Sequence, residues 1–448
     1  MFASQLKINE ILSIATVIII VLALVICVSF ALQLKFLLFF SLSLLLLIPS
    51  ISLFLKYPDF IIFMGLFLNF SPVNRNIGFY PILLLTIVLA VDALICKKKF
   101  IKWDIITLLW ILLGIIAIAT IPKWISNFRG IKGTLYLVVI PFCIYTLVNS
   151  NYLSEKMIVR FFTRYFPILF FYVVIQMLLI VISGSAVSGS TYMHFHTGFR
   201  LAWGGTVFLA ALILFFSFLA VFTKHYWGKS PLISALNYFN IMISMVFLIL
   251  IMARAPIVSM ILSLIIFIAF KNYYYKSFIK IRPSYFIYTG IIATIIYFIF
   301  YGFVNNLIDR FVHMKIDSSF LLRLYLYYTG MKVFIQNILI GLGPDQYLYN
   351  DFYKYVTDPN NIFLSYAVAF GIGGLIIIII IFSMPFIKLV NIDNKSINVR
   401  YFGVSLIPVL LLAIFNSCLE VIITSFSYGM LFWTVYAIYF RTYKTTIS

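Results

Sequence analysis

The feature that most constrains this chain is a series of long apolar runs that carry almost no charge. Runs such as 11–32, 166–183 and 362–387 are continuously apolar and do not alternate with polar residues. A helix needs about 20 apolar residues to cross a bilayer, whereas a barrel strand alternates. Charged residues form only 10% of the 448 positions, against about 25% in a soluble domain. The sequence therefore predicts a polytopic helical membrane protein.

The runs predict an all-α fold with about 12–14 transmembrane helices and one large, partly helical outer loop. The first run lacks a small-residue cleavage site, so it is interpreted as a retained helix. The whole chain, 1–448, is treated as one integral membrane domain. The candidate spans are 11–32, 36–55, 60–70, 79–95, 105–121, 133–148, 166–183, 204–222, 236–252, 255–270, 285–303, 362–387, 401–417 and 421–440.

The basic residues predict the orientation of these helices. With the N-terminus in the cytoplasm and fourteen alternating spans, 20 of the 32 Lys and Arg fall on the cytoplasmic side, as the positive-inside rule requires. Both termini are then cytoplasmic. The net charge of +20 follows largely from topology, so it indicates no nucleic-acid partner. Arg supplies 6 of the 12 outer cations, and its planar fork suits phosphate, which indicates an anionic ligand on the outer side.

One predicted outer loop, 304–361, is much longer than the others. Within it, Phe320 to Ile340 has helical apolar spacing, and the sequence Gly341-Leu342-Gly343-Pro344 ends that helix. Long loops in compact proteins are usually functional or disordered, and the aromatic residues of this one favour order. Elsewhere, Arg254 lies in a minimal turn between two spans, where a charge is expected to face a cavity and a partner.

Several motifs follow one another in a distinctive chain order. Arg200 precedes a span, Arg254 separates two spans, and Arg323 lies in the long loop. Three elements then follow: Gly341-Leu342-Gly343-Pro344-Asp345-Gln346-Tyr347, then Asp358-Pro359-Asn360-Asn361-Ile362-Phe363-Leu364, and finally Gly371-Ile372-Gly373-Gly374. This order resembles the bacterial O-antigen polymerase and O-antigen ligase superfamily (Wzy and WaaL). The resemblance covers a core of about 190–385.

The sequence departs from the family pattern in two places. Ala255 follows Arg254 where the family commonly has Gly, which is a tolerable change. Asn360 stands where the ligases have the His thought to act as general base. Asn has no useful pKa and cannot accept a proton. The sequence therefore favours the polymerase branch over the ligase branch.

The resemblance implies glycosyl transfer on the outer face of the bacterial inner membrane. A glycan would leave undecaprenyl pyrophosphate and join a hydroxyl of a second lipid-linked repeat unit. Because the leaving group is anionic, Arg200, Arg254 and Arg323, with Arg129 as a helper, are expected to neutralise it as the bond breaks. No metal or other cofactor is expected, since the outer side shows no carboxylate cluster with metal spacing. A chain-length regulator and a flippase are the implied protein partners.

The acceptor hydroxyl needs a base or an aligning group. Besides Arg254, the catalytic candidates are Asp358, next to the lost His position, then His313, Asp345 and Asp317. Asn360, Asn361 and Tyr347 are expected to orient the substrate. For Asn361, capping of the helix that begins at Ile362 is an equally good interpretation. Trp124 and Trp203, beside outer basic residues, are candidates for sugar stacking.

Two other functions fit the span count. An O-antigen ligase would share most of these motifs, and Asn360 is the feature against it. A lipid-linked oligosaccharide flippase is a transporter, and transporters of this kind show related halves and charged residues within spans. Here the spans are almost free of charge, and the charged groups gather in one outer loop, which favours surface chemistry.

Overall fold

The computed structural model describes most of the chain between residues 55 and 444. The described ranges are 55–70, 79–97, 100–101, 103–124, 127–182, 187–188, 193–194, 206–224, 230–251, 254–275, 318–344, 361–390, 397–419 and 426–444. These residues are almost entirely helical, which confirms the all-α class. The predicted spans 11–32 and 285–303, and all but the last residue of 36–55, lie outside the described residues.

Fourteen α-helices make up this described part. They are α1 (Pro58–Asn69), α2 (Phe79–Ile95), α3 (Ile105–Ala119), α4 (Asn127–Thr134), α5 (Ile140–Asn149), α6 (Glu155–Arg160), α7 (Phe166–Ile182), α8 (Thr206–Phe222), α9 (Pro231–Ile251), α10 (Arg254–Tyr275), α11 (Ser318–Gln336), α12 (Ile362–Val390), α13 (Ile397–Leu419) and α14 (Phe426–Lys444). The π-helical segments Leu135–Val139 and Phe161–Tyr165 join α4 to α5 and α6 to α7. Strands β1 (Val187–Ser188) and β2 (Met193–His194) form a short antiparallel pair.

Length and apolar composition qualify several of these helices as membrane spans. Within the described residues, four segments are long and apolar enough to cross a bilayer: Arg129–Asn149, Met157–Gln176, Pro231–Leu248 and Ile362–Lys388. Six shorter apolar helices accompany them: Pro58–Leu68, Tyr80–Ile95, Ile105–Ala119, Ala210–Phe222, Pro256–Ile268 and Leu406–Cys418. The prediction of a polytopic membrane protein is confirmed.

Helix α3 defines two ends of the helix bundle. The Asp104 end is the one at which α3 begins, and the Lys123 end is the one at which the short 3₁₀-helix Ile121–Lys123 follows α3. Asp104 caps α3 by accepting a hydrogen bond from the Thr107 N–H at 2.8 Å. Its other oxygen accepts from the Tyr145 hydroxyl at 2.7 Å, which ties α3 to α5.

Polar side chains join further helices at the Asp104 end. Arg160 pairs with the buried Asp59 at 3.2 Å, and the Tyr152 hydroxyl donates to Asp92. Arg441, near the end of α14, is 8% exposed and donates to backbone carbonyls that follow or end α5. Those acceptors are Val148 at 2.7 Å, Ser150 at 2.5 Å, and Leu153.

Helix α11 runs alongside α12 in the same direction. The Tyr327 hydroxyl on α11 and the Asn361 amide before α12 both donate to the Cys418 carbonyl. Eleven residues further along each segment, 327 to 338 and 361 to 372, the Ile372 N–H donates to the Ile338 carbonyl. The long loop therefore contains a helix, as predicted. The predicted C-terminal limit at Ile340 is wrong, because α11 ends at Gln336 and residues 338–343 bond to α12 instead.

Candidate functional site

Helix α12 is broken at Gly371, which has φ 69° and ψ −159°. A break frees backbone donors and acceptors that lipid cannot satisfy, so the protein must pair them itself. The pairing comes from the segment 338–343. The bonds are Leu342 N–H to the Val368 carbonyl (2.9 Å), Gly343 N–H to the Ala369 carbonyl (3.0 Å) and Ile372 N–H to the Ile338 carbonyl (2.7 Å). Ile338 and two residues of the glycine turn, Gly341–Pro344, thus pair three backbone groups at the break in a membrane helix.

Glycines make this close backbone contact feasible. A Cβ on Gly341 would lie 2.3 Å from the carbonyl carbon and oxygen of Ala369. A Cβ on Gly371 would lie 2.7 Å from the carbonyl oxygens of Ile338 and Leu339, and its positive φ already disfavours any side chain. Real Cβ atoms do not approach backbone so closely, so substitution at either glycine would push α11 and α12 apart.

Trp124 fills the space beside the glycine turn. Its indole N–H donates to the Thr120 hydroxyl at 3.0 Å, which fixes the ring at the end of α3. A Cβ on Gly343 would lie 2.4 Å from the ring, and a Cβ on Gly130 of α4 would lie 2.3 Å from it. The ring is therefore wedged between two glycines from distant parts of the chain. Its sugar-stacking role stays a prediction, whereas its packing role is visible.

Lys123, the residue before Trp124, binds the residues that precede the glycine turn. Its ammonium donates to the Ile340 carbonyl at 2.7 Å and to the Asn337 side-chain oxygen at 3.4 Å. These acceptors lie just beyond the end of α11, where a cation is favoured by the helix dipole. Together, Lys123 and Trp124 form what we call the Lys123–Trp124 clamp, which contacts Asn337, Ile340 and Gly343.

A second fixed point, the Cys418 junction, lies at the start of α12. The Asn361 side-chain oxygen accepts from the Leu364 N–H at 3.1 Å, and its amide donates to the Cys418 carbonyl at 3.0 Å. The Tyr327 hydroxyl donates to the same carbonyl at 3.1 Å. The helix-capping interpretation of Asn361 is thus confirmed. A role in orienting substrate stays a prediction.

The structure places two of the predicted pyrophosphate-binding arginines at different points. Arg323 is half-buried on α11, one turn before Tyr327, so it shares the helix face that reaches the Cys418 junction. Arg129 precedes Gly130 on α4, beside the Trp124 ring, and one of its guanidinium nitrogens is buried. Arg254 begins α10, and its side chain lies outside the described residues.

The remaining predicted site residues cannot be located in the structure. Arg200, His313, Tyr347, Asp358 and Asn360 all lie outside the described residues, as do Asp345, Asp317 and Trp203. Among the residues that are described, no group of three or more His, Cys, Asp or Glu is arranged to hold a metal ion. The expectation of metal-independent chemistry stays a prediction.

Sequence reasoning missed Lys123, Gly130 and Tyr327 as parts of this region. Lys123 is one of the twelve cations that the topology places on the outer side, and no motif connects it with residues 337–343. Gly130 carries a weak signal, since a glycine within a helical pattern can mark a close packing contact. Tyr327 has no sequence signal, because its partner is a backbone carbonyl far along the chain.

Residues 239–379 match a family model described as O-antigen ligase (Wzy_C). The matched segment includes α10 and α11, the glycine turn, and α12 beyond its break, and it contains Arg254, Arg323 and Asn361. The match confirms the superfamily resemblance and leaves polymerases and ligases undistinguished. Lys123 and Trp124 lie outside it. No curated protein matches the chain.

Proposed function

We propose, on the premise that residues 239–379 place this chain in the O-antigen polymerase and ligase superfamily (Wzy and WaaL), that it is a repeat-unit polymerase. The product is an O-antigen or a related capsular polysaccharide or exopolysaccharide. The donor is a glycan on undecaprenyl pyrophosphate, and the acceptor is a second lipid-linked repeat unit. The reaction takes place on the outer face of the bacterial inner membrane, with both chain termini in the cytoplasm. A flippase supplies the lipid-linked units, and a chain-length regulator acts on the product.

The transfer breaks the bond between the anomeric carbon of the donor glycan and its pyrophosphate oxygen. The electron pair leaves with the pyrophosphate, whose growing charge is neutralised by Arg200, Arg254 and Arg323. The acceptor hydroxyl oxygen bonds to the anomeric carbon and gives its proton to a base, for which Asp358 is the first candidate. The products are a lengthened lipid-linked glycan and free undecaprenyl pyrophosphate.

Asn360 is the observation that carries the choice of polymerase over ligase. It occupies the position of the ligase base and cannot accept a proton. The next residue, Asn361, is held at the start of α12 by bonds to Leu364 and Cys418. The bonds of Asn361 give it a structural role, and Asn360 beside it has no group that can serve as the base. A ligase that moves finished chains onto lipid A core is the second candidate, favoured by the description of the matched family.

The polysaccharide ladder of cells that lack the native gene tests this proposal. Wild-type protein is expected to restore a full ladder, and Arg254→Ala to leave single-repeat product at equal protein level. Loss of one such contact raises the barrier by about 3 kcal/mol, or roughly 10²-fold in rate. The matched control is Arg164→Ala, which removes an arginine at the opposite, Asp104 end. Asp358→Asn is expected to behave like Arg254→Ala, whereas Asp345→Asn keeps the ladder.

Other outcomes of the deletion contradict the proposal in distinct ways. Long polymer on the lipid carrier with none on lipid A core identifies a ligase. Single units stranded on the inner face identify a flippase. If deletion of the gene leaves the ladder unchanged, the protein has no role in polysaccharide assembly. A short ladder with Arg164→Ala at equal protein level would show that any lost arginine disturbs the protein, and that Arg254 has no special role.

A further inference from the structure

We infer that Lys123 and Trp124, which lie outside the matched family segment, are positioning residues for the transfer reaction. They hold residues 337–343 against the break in α12 and anchor the end of α11, the helix that carries Arg323. This inference rests on the proposed function. Neither residue is assigned a contact with a reacting atom. Lys123 acts through Asn337 and Ile340, and Trp124 acts through Gly343.

The first step concerns the chain segment between the two fixed points. Residues 345–360 carry Tyr347, Asp358 and Asn360. In the sequence, this segment follows the glycine turn and precedes the bonded Asn361. The clamp thus contacts Asn337, Ile340 and Gly343 before this segment, and the Cys418 junction holds Asn361 after it.

The second step concerns α11. Lys123 bonds to Asn337 and Ile340, immediately beyond the end of this helix, and Tyr327 ties its middle to the Cys418 junction. Two anchors on one helix fix both its place and its rotation. Arg323 is one turn before Tyr327 and turns with it. Loss of the Lys123 anchor would let α11 shift, and Arg323 would shift with it.

The third step separates positioning from folding. Lys123 is exposed, and its ammonium contributes polar bonds at the surface and no buried packing. A bond at such a site contributes little to global stability. A misplacement of about 1 Å in a catalytic group can nonetheless cost about 10²-fold in rate. Lys123 can therefore be removed with the fold kept, which makes it the better residue to test than Trp124.

The experiment uses full-length protein in detergent or vesicles with a lipid-linked repeat unit as substrate. Lys123→Met keeps the aliphatic stem and is expected to lower kcat by between about 10-fold and 100-fold, with KM and the thermal midpoint close to wild type. Lys123→Arg restores the donor and is expected to recover kcat. Lys132→Met is the matched control: it removes a lysine from the same end, whose ammonium lies over the Tyr136 ring, and is expected to leave kcat unchanged.

Amide hydrogen exchange supplies a readout that does not depend on activity. Lys123→Met is expected to speed exchange at Leu342 and Gly343, whose N–H groups bond to α12, and Lys132→Met is not. An unchanged kcat for Lys123→Met overturns the inference, and so does a loss of kcat matched by a fall in thermal midpoint. If the wild-type protein makes no polymer, the proposed function fails, and exchange alone decides whether the clamp holds the turn.

Discussion

The two ends of the helix bundle are joined by different chemistry. At the Asp104 end, side chains reach between helices: Asp104 to Tyr145, Arg160 to Asp59, and Arg441 to the carbonyls around Ser150. At the Lys123 end, backbone meets backbone through the glycine turn and the break in α12. The family match covers the backbone contact and none of these side-chain contacts.

This difference determines what each end can tolerate. A side-chain contact is made of separable pieces, and a substitution removes one piece while the others remain. A backbone contact at the closeness of Gly341 and Ala369 has no spare volume, so a single added methyl group disturbs all of it. We therefore expect single substitutions at the Asp104 end to lower stability by small steps. A single substitution in the glycine contact at the Lys123 end is expected to lower it by a large amount.

The largest effect is expected for Gly371→Ala. The new Cβ would lie 2.7 Å from two carbonyl oxygens on a residue with positive φ, and these costs add to about 2–5 kcal/mol. The measurement is the yield and thermal midpoint of folded protein in detergent. The control is Gly114→Ala, whose Cβ would meet Val138 at an ordinary 3.8 Å. Equal midpoints for the two variants would contradict the idea that the glycine contact is indispensable.

Arg441→Leu is expected to have the next largest effect. It removes donors to the Val148, Ser150 and Leu153 carbonyls at a site that is 8% exposed. Leaving buried carbonyls unpaired costs about 1–3 kcal/mol, so the thermal midpoint is expected to fall while activity per folded molecule stays unchanged. If activity per folded molecule falls as well, the Asp104 end is not independent of the reaction, and the contrast between the ends is weakened.

The smallest effect is expected for Tyr152→Phe. The ring contact with Phe100 at 6.2 Å is kept, and only the hydrogen bond to Asp92 is lost, at about 0.5–1.5 kcal/mol. Desolvation, with a further contribution from Asp92, raises the pKa of the Tyr152 hydroxyl above its ordinary value. The stability that this bond gives is complete below the unfolded-state pKa and is lost only as pH rises through the higher folded-state pKa. The difference in midpoint between wild type and Tyr152→Phe should thus be constant from pH 6 to 9, and a difference that shrinks across this range would contradict it.

Helix positions were largely predictable because apolar length alone specifies a membrane span. The predicted span 79–95 has the same bounds as α2, and 105–121 exceeds α3 by two residues. Capping was one of the two roles expected for Asn361 and is confirmed, whereas the stop expected at Gly341 lies five residues beyond the end of α11. The sequence did not reveal where the turn docks, because Leu342 and Val368 pair through backbone atoms that every residue possesses. The packing of Trp124 between Gly130 and Gly343 could not be predicted either, because no sequence periodicity connects residues so far apart in the chain.

The break in α12 also has a consequence for how the protein is made. A chain emerges from the ribosome N-terminus first, so Trp124, then Gly130, then the glycine turn are synthesised before Val368 and Ala369. Every partner that the broken helix requires has therefore been produced before the break itself reaches the membrane. When α12 enters the membrane, residues 338–343 are therefore already present to pair with the Val368 and Ala369 carbonyls.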